Sequence, residues 1–133
     1  MASIFSKIIA REIPGQFIYE DDVCVALMDK FPAIPGQALI IPKVETSYIL
    51  DLDDATYTHL FAVAKRVARA LDTVFEAERT CYVVEGFEVP HVHIKLYPMQ
   101  DTSIPLGAQL ANGKIEDDDI LEEQAGQIKA ALA

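Results

Sequence analysis

The chain is short of several things, and each shortage narrows what it can be. No apolar run approaches the ~20 residues that a membrane-spanning helix needs. The N-terminal stretch MASIFSKIIARE mixes charge into its apolar residues from the start, without the h-region or cleavage signal of a secretory peptide. Cysteine is scarce: Cys24 and Cys81 lie far apart with no CxxC spacing, so neither a zinc knuckle nor a disulfide framework is indicated. The expectation is a reduced, cytoplasmic protein without a membrane partner. Positive charge is thin as well, with 11 Lys and Arg against 21 Asp and Glu and a net charge of −10. A polyanion such as DNA is repelled on average, and no basic stripe offsets this locally, so nucleic acid is not an expected partner. A small phosphorylated ligand held by a few local donors stays open. No repeat, low-complexity tract or linker divides the 133 residues, which predicts one domain.

What is present is an alternation of short apolar segments and turns. Residues 3–10 (SIFSKIIA) predict a short helix, closed by Pro14-Gly15. Strands are predicted near 17–20, 23–28, 38–42, 80–84 and 90–97, with the Pro/Gly loop FPAIPGQ before the third. Residues 51–77 carry the clearest helix, with Asp51 as N-cap and an apolar stripe that includes Tyr57, Leu60, Ala64, Val67, Leu71 and Phe75. After Pro98 an irregular stretch leads to a second helix near 117–132, with Ile120, Leu121, Ile128 and Leu132 on its apolar face. Short links between most strands favour antiparallel pairing and an α+β domain.

The stretch with chemistry in it is PHVHIKLYP, residues 90–98. Two of the chain's three histidines sit here, and strand alternation predicts that His91, His93 and Lys95 share one face. A solvated face that happens to carry imidazoles is the plain alternative, though two of three histidines on one strand face make it the weaker one. Metal binding by imidazoles at i and i+2 needs further ligands, and Leu96-Tyr97-Pro98-Met99 offers no carboxylate. Glu85 and Glu88 lie upstream, His59 reads as a surface residue of the long helix, and Lys95 beside a divalent cation is electrostatically costly. Nucleophilic catalysis fits better: a neutral imidazole attacks phosphorus when an acceptor fixes its other nitrogen, and neighbouring cations stabilise the phosphoryl oxygens.

PHVHIKLYP resembles the histidine-triad (HIT) signature, in which three histidines alternate with apolar residues, with Lys95 in the place of the third. The segment 3–43, with IF-x-KII, EIP, YEDD and PG-x-x-L-x-IPK, is similar in order and spacing to that family's N-terminal half, and VEGFEVPHVHI (84–94) is like its short-loop bacterial branch. The resemblance implies an α+β fold: a five-stranded antiparallel sheet with one long helix and a C-terminal helix, usually paired as a homodimer. Residues 1–100 would form the core with the motif, and 101–133 a C-terminal extension ending in a helix.

It also implies a hydrolase or transferase acting at the α-phosphate of a nucleoside phosphoramidate or dinucleoside polyphosphate through a covalent nucleotidyl-histidine. In that scheme His93 is the nucleophile, His91 orients it through its backbone carbonyl, and Lys95 contacts the phosphate or leaving group. The base of a purine nucleotide or nucleotide conjugate would lie against Phe5, Ile8 and Leu27, with Asp29 on the ribose hydroxyls. Gln37 stands where the family has a PGH histidine, and phosphate contacts would pass to backbone N–H groups at Glu88 and Val89, because Gly86–Val89 is too short for the family's phosphate loop. Ser3 and Ser6 replace the Cys-x-x-Cys of the zinc-binding branch, and Glu45 replaces a further histidine, so neither a structural zinc nor a cofactor is implied. Lysine, with an unperturbed pKa near 10.4, is a poor proton acceptor at neutral pH. Phosphate binding is therefore expected to survive better than acid/base assistance, and the alternative is a catalytically weakened nucleotide-binding or regulatory module.

Overall fold

The computed structural model describes residues 2–133. Five strands form one antiparallel sheet in the order β1-β2-β3-β5-β4: β1 Phe17–Glu20, β2 Cys24–Met28, β3 Ala38–Pro42, β4 Arg79–Val83 and β5 Ile94–Met99. The helices are α1 Ile4–Ile9, α2 Asp54–Phe75, a four-residue α3 Leu106–Gln109 and α4 Asp118–Leu132, with two short 3-10 turns besides. This is the α+β architecture the sequence implies, with a long helix and a C-terminal helix.

Alternation along the strands sorts the core into two faces. Ala26, Ile40, Ile94 and Leu96 point to the side covered by α2, where they meet Leu60, Ala64, Val67 and Leu71. Each fully buried aliphatic side chain of this kind contributes about 1.5–3 kcal/mol. Val25, Leu27, Leu39 and Ile41 point to the opposite side and are capped there by Phe5 of α1. The helix α4 lays Leu121, Ala125 and Ile128 into the same core as α2, so the last helix is integral to the packing. Ile120, expected on that buried face, is exposed, and Ala125 takes its share of the contact.

Several boundaries differ from expectation for local reasons. The long helix starts at Asp54 and not at Asp51, because Asp53 is the residue whose carboxylate accepts the Thr56 N–H, at 2.7 Å. Ile49–Asp51 instead forms a 3-10 turn, and Leu52 drops into the core. The helix ends at Phe75, where Glu76 adopts a left-handed conformation. Tyr57, expected on the buried stripe, lies at its exposed margin, and Phe75 is only partly buried.

The largest correction concerns the last strand. It begins at Ile94, so His91 and His93 precede it in an ordered loop. The β3–β5 ladder ends at the Ile40–Ile94 pair, and two residues further along β3 stands Pro42, which has no N–H to donate. The chain before Ile94 finds other partners: His91 N–H donates to Val89 O and Val92 N–H to Thr46 O, both at 2.8 Å. At its other end β5 continues through Pro98 to Met99, a stretch paired with β4 alone. The segment expected to be irregular contains α3 and a following 3-10 turn, Leu110–Asn112.

Candidate active site

Even outside the ladder, the motif keeps its alternation. Val92 and Ile94 turn to the α2 side, and the two histidines turn to the α1 side, where the Phe5 ring meets both edge-on. Ring centroids lie 5.8 Å from Phe5 to His91 and 4.8 Å from Phe5 to His93. His91 is 0% exposed and His93 5%.

Hydrogen bonds fix what each ring nitrogen does. His91 Nε2 lies 2.7 Å from Pro42 O, and a carbonyl only accepts, so Nε2 carries the proton. In the neutral ring Nδ1 then accepts from the Ser3 hydroxyl, 2.6 Å away. His93 Nδ1 lies 2.8 Å from His91 O and is its donor by the same reasoning. That leaves His93 Nε2 as the lone-pair nitrogen of the neutral ring, without a hydrogen-bond partner among the described residues. Burial pushes the His93 pKa down, and the Lys95 ammonium adds to this against the opposing pull of the His91 carbonyl and Asp29. A neutral, tautomer-fixed imidazole is the form that acts as a nucleophile.

Lys95, the second residue of β5, places its Nζ 3.7 Å from Glu85 Oε1, at the edge of an ion pair. The Tyr97 hydroxyl, further along the same face, is pushed up to about 12 by burial and by the charges of Asp29 and Glu85, so it stays protonated. Asp29 follows β2 and is held from both sides: Oδ1 accepts the Phe31 N–H at 2.8 Å and Oδ2 the Gln37 amide at 2.6 Å. Each oxygen keeps lone-pair capacity for a further donor.

The residues expected around a nucleotide are distributed unevenly. Phe5 and Leu27 are buried in one apolar cluster with Ile8 against its edge. Val89 packs on that same cluster, while Glu88 is exposed and its side chain has no hydrogen-bond partner among the described residues. Gln37 is 4% exposed and uses both ends of its amide internally, donating to Asp29 and accepting the Ala33 N–H at 2.6 Å. Its geometry is that of a residue that orients Asp29. Gly36, just before it, has φ +86°, and an added Cβ would stand 2.6 Å from the Phe75 ring.

Sequence reasoning missed the connections made by Ser3, Ser6 and Glu45, which it treated only as replacements. Glu45 Oε1 accepts from the Ser3 N–H at 2.6 Å and from the Ser6 hydroxyl at 2.7 Å. The S-x-x-S start of α1 was a usable capping signal, but nothing local ties it to position 45. The acceptor role of Pro42 O was equally hidden.

The other histidine belongs to a separate cluster. Asp21, Cys24 and His59 bring their ligand-type atoms within 4.8 Å of one another, close enough in principle for a cation. Their chemistry is that of a hydrogen-bond hub. Asp21 accepts from the Val23 and Cys24 N–H groups and the Tyr19 hydroxyl, and its Oδ2 lies 2.6 Å from His59 Nε2. Burial alone would raise the Asp21 carboxyl, but these donors outweigh it and hold it well below the usual carboxylate range. Burial, with Asp21 beside it, pushes the Cys24 thiol up to about 12, away from the thiolate a metal requires. His59 is therefore a tether between α2 and the β1–β2 turn, more engaged than the surface residue expected.

Among the described residues no helix is long and apolar enough to cross a membrane. Comparison with known proteins agrees with the fold. The purine nucleoside phosphoramidase of Escherichia coli K12 is 32% identical over 116 residues, covering 83% of this chain and 94% of that protein. The adenosine 5'-monophosphoramidase of Saccharomyces cerevisiae is 38% identical over 102 residues, covering 75% of this chain and 64% of the yeast protein. The crystal structure of a HIT-like protein involved in cell-cycle regulation from Bartonella henselae, with an unknown ligand, superposes with a TM-score of 0.86 at 33% identity, covering 97% of this chain and 95% of that one. The family model of the HIT domain matches residues 10–101, a span that takes in all five strands and both motif histidines, and the chain accordingly belongs to the HIT family.

Proposed function

We propose that this protein is a nucleotide hydrolase or transferase that acts at the α-phosphate of a nucleoside phosphoramidate or dinucleoside polyphosphate through a nucleotidyl-His93 intermediate. The observation that carries the reading is the His93 Nδ1–His91 O hydrogen bond in a buried ring, which leaves Nε2 as the nucleophilic nitrogen. Nε2 attacks phosphorus, the bond from phosphorus to the leaving amine or phosphate breaks, and the leaving group departs with the electron pair, the amine taking up a proton from solvent or the Lys95 ammonium. Water then cleaves the phosphorus–nitrogen bond, releasing nucleoside monophosphate and restoring His93. Lys95, in the position of the third triad residue, supplies positive charge to the phosphoryl oxygens or leaving group. Phe5, Ile8 and Leu27 offer an apolar surface to a base, and the Asp29 carboxylate, oriented by Gln37, suits a ribose diol. A purine is the base of choice, because the Escherichia coli relative is a purine nucleoside phosphoramidase. A cytoplasmic homodimer completes the reading on the family resemblance.

A second reading has its own support. Lys95 lies close to Glu85, which offsets part of its charge, and lysine does not take a proton readily at neutral pH. A module that binds nucleotide without turning it over fits that arrangement. Intact-mass measurement after brief exposure to adenosine phosphoramidate or a dinucleoside tetraphosphate separates the two. A shift equal to one nucleoside monophosphate less one water, the mass of a covalently attached nucleotidyl group, lost in His93→Ala, is the result expected of the enzyme. Nucleotide binding with neither adduct nor turnover favours the module, and turnover that survives His93→Ala refutes the nucleophile.

A further inference from the structure

Ser3 does more than cap a helix. Its hydroxyl accepts the Ser6 N–H at 3.0 Å, which is all that capping α1 requires. The same hydroxyl lies 2.6 Å from His91 Nδ1, and the Ser3 backbone N–H donates to Glu45 Oε1 at 2.6 Å. Glu45 takes a second hydrogen bond from the Ser6 hydroxyl, so the loop after β3 grips the first turn of α1 at two points. These two donors hold the Glu45 carboxyl below its ordinary pKa, which keeps it an acceptor.

We propose that Ser3 and Glu45 form a positioning latch for the nucleophile: Glu45 fixes Ser3 in place, and the Ser3 hydroxyl locks the His91 ring whose backbone carbonyl sets the tautomer of His93. The inference rests on the reading of His93 given above and adds two residues to it. Every donor and acceptor in the chain of contacts has one consistent assignment. Pro42 O requires a proton on His91 Nε2, so Nδ1 of the neutral ring accepts and Ser3 donates. His91 O then receives the His93 Nδ1 proton. The His91 ring is buried, so without Ser3 its Nδ1 has no protein donor, and the ring keeps its tautomer through Pro42 O but is held at one nitrogen only and can tilt. The latch also seats Phe5, two residues along α1, edge-on against both imidazoles. Neither Ser3 nor Glu45 touches the reacting atoms; both act through His91.

Glycine is a tolerable N-cap, so Ser3→Gly removes the hydroxyl while leaving the backbone N–H for Glu45 and most of the cap. Ser3→Thr keeps a hydroxyl and is the rescue variant. Glu45→Gln keeps an acceptor and loses the charge. The full-length proteins are compared by ring-nitrogen NMR in the free state, and by the single-turnover rate of nucleotidyl transfer from adenosine phosphoramidate. In the wild type the ring signals should show His91 protonated at Nε2 and His93 at Nδ1. Ser3→Gly should shift the His91 Nδ1 signal to that of an acceptor nitrogen without a donor and lower the transfer rate roughly 10- to 100-fold at little change in KM, the scale on which small misplacements act. Ser3→Thr should recover the ring signals and most of the rate, and Glu45→Gln should fall between.

Unchanged ring signals in Ser3→Gly overturn the latch. A rate loss that merely tracks the folded fraction, without recovery in Ser3→Thr, overturns it too. A wild type that forms no adduct overturns the proposed function instead, and the ring signals of the free protein then decide the latch alone.

Discussion

Gly36→Ala is a quantitative test of how the loop before β3 is built. Gly36 has φ +86°, and a methyl group there meets three carbons of the Phe75 ring at 2.6–2.9 Å. Two costs add. A left-handed conformation in a residue with a Cβ costs about 1–2 kcal/mol. Forcing a methyl into an occupied space costs about 1–3 kcal/mol more, because Phe75 lies against the main core and cannot simply swing into solvent. The sum, about 2–5 kcal/mol, is a large part of the stability of a domain of this size. Urea denaturation of Gly36→Ala, Phe75→Ala and the double variant separates the two costs. With the ring gone only the backbone cost remains, so the cycle should return a coupling of about 1–3 kcal/mol. A cost for Gly36→Ala that is equal in both backgrounds refutes the packing argument. The functional corollary concerns the next residue: Gln37 holds Asp29, so the variant should also bind nucleoside monophosphate more weakly than its loss of folded protein explains.

Other outcomes follow from the same geometry. The His93 ring, titrated by NMR, should have its midpoint below the ~6.5 of an unperturbed histidine, since burial disfavours its charged form. In the window between that lowered value and the unfolded one, the unfolded chain binds a proton the folded chain does not, so this contribution to stability declines as pH falls through it and is intact above. A midpoint at or above the unperturbed value contradicts the burial argument. Ile128→Ala, at a fully buried site in the core shared by α2 and α4, should cost about 2–5 kcal/mol by thermal or urea unfolding. A cost below about 1 kcal/mol would mean that α4 is peripheral. Lys95→Gln should slow nucleotidyl transfer by roughly 10- to 1,000-fold if the ammonium stabilises transition-state charge, read as a single-turnover rate. An unchanged rate would remove Lys95 from the chemistry.

What could be read from the chain was whatever depends on neighbours in sequence. Val92, Ile94 and Leu96 alternate with His91, His93 and Lys95, and that period put the histidines and the lysine on the right side of the sheet. It did not show where the strand begins, because the limit comes from Pro42, some fifty positions away in the chain and opposite the histidines only in the fold. The start of α2 was ambiguous within Asp51-Leu52-Asp53-Asp54, where several carboxylates compete to cap and burial of Leu52 decides. Ile120 looked buried because helical spacing names a stripe without fixing its edges; Ala125 fits closer to α2. The roles of Ser3 and Glu45 rest on contacts spanning 42 and 88 positions, which no local pattern carries.

The helix α1 has only six residues, and a helix that short has little stability of its own in water. What holds it to the sheet is one buried phenyl ring with its aliphatic neighbours, and the few hydrogen bonds of Ser3 and Ser6. The central strands, by contrast, are buried along their whole length. The free energy of opening is thus uneven across the molecule, and α1 belongs to the low end of it. Amide protons of α1 will exchange with solvent through local detachment, on a timescale well ahead of those of Ile40 and Ile41. The histidines can therefore be uncovered while the sheet that carries them stays intact.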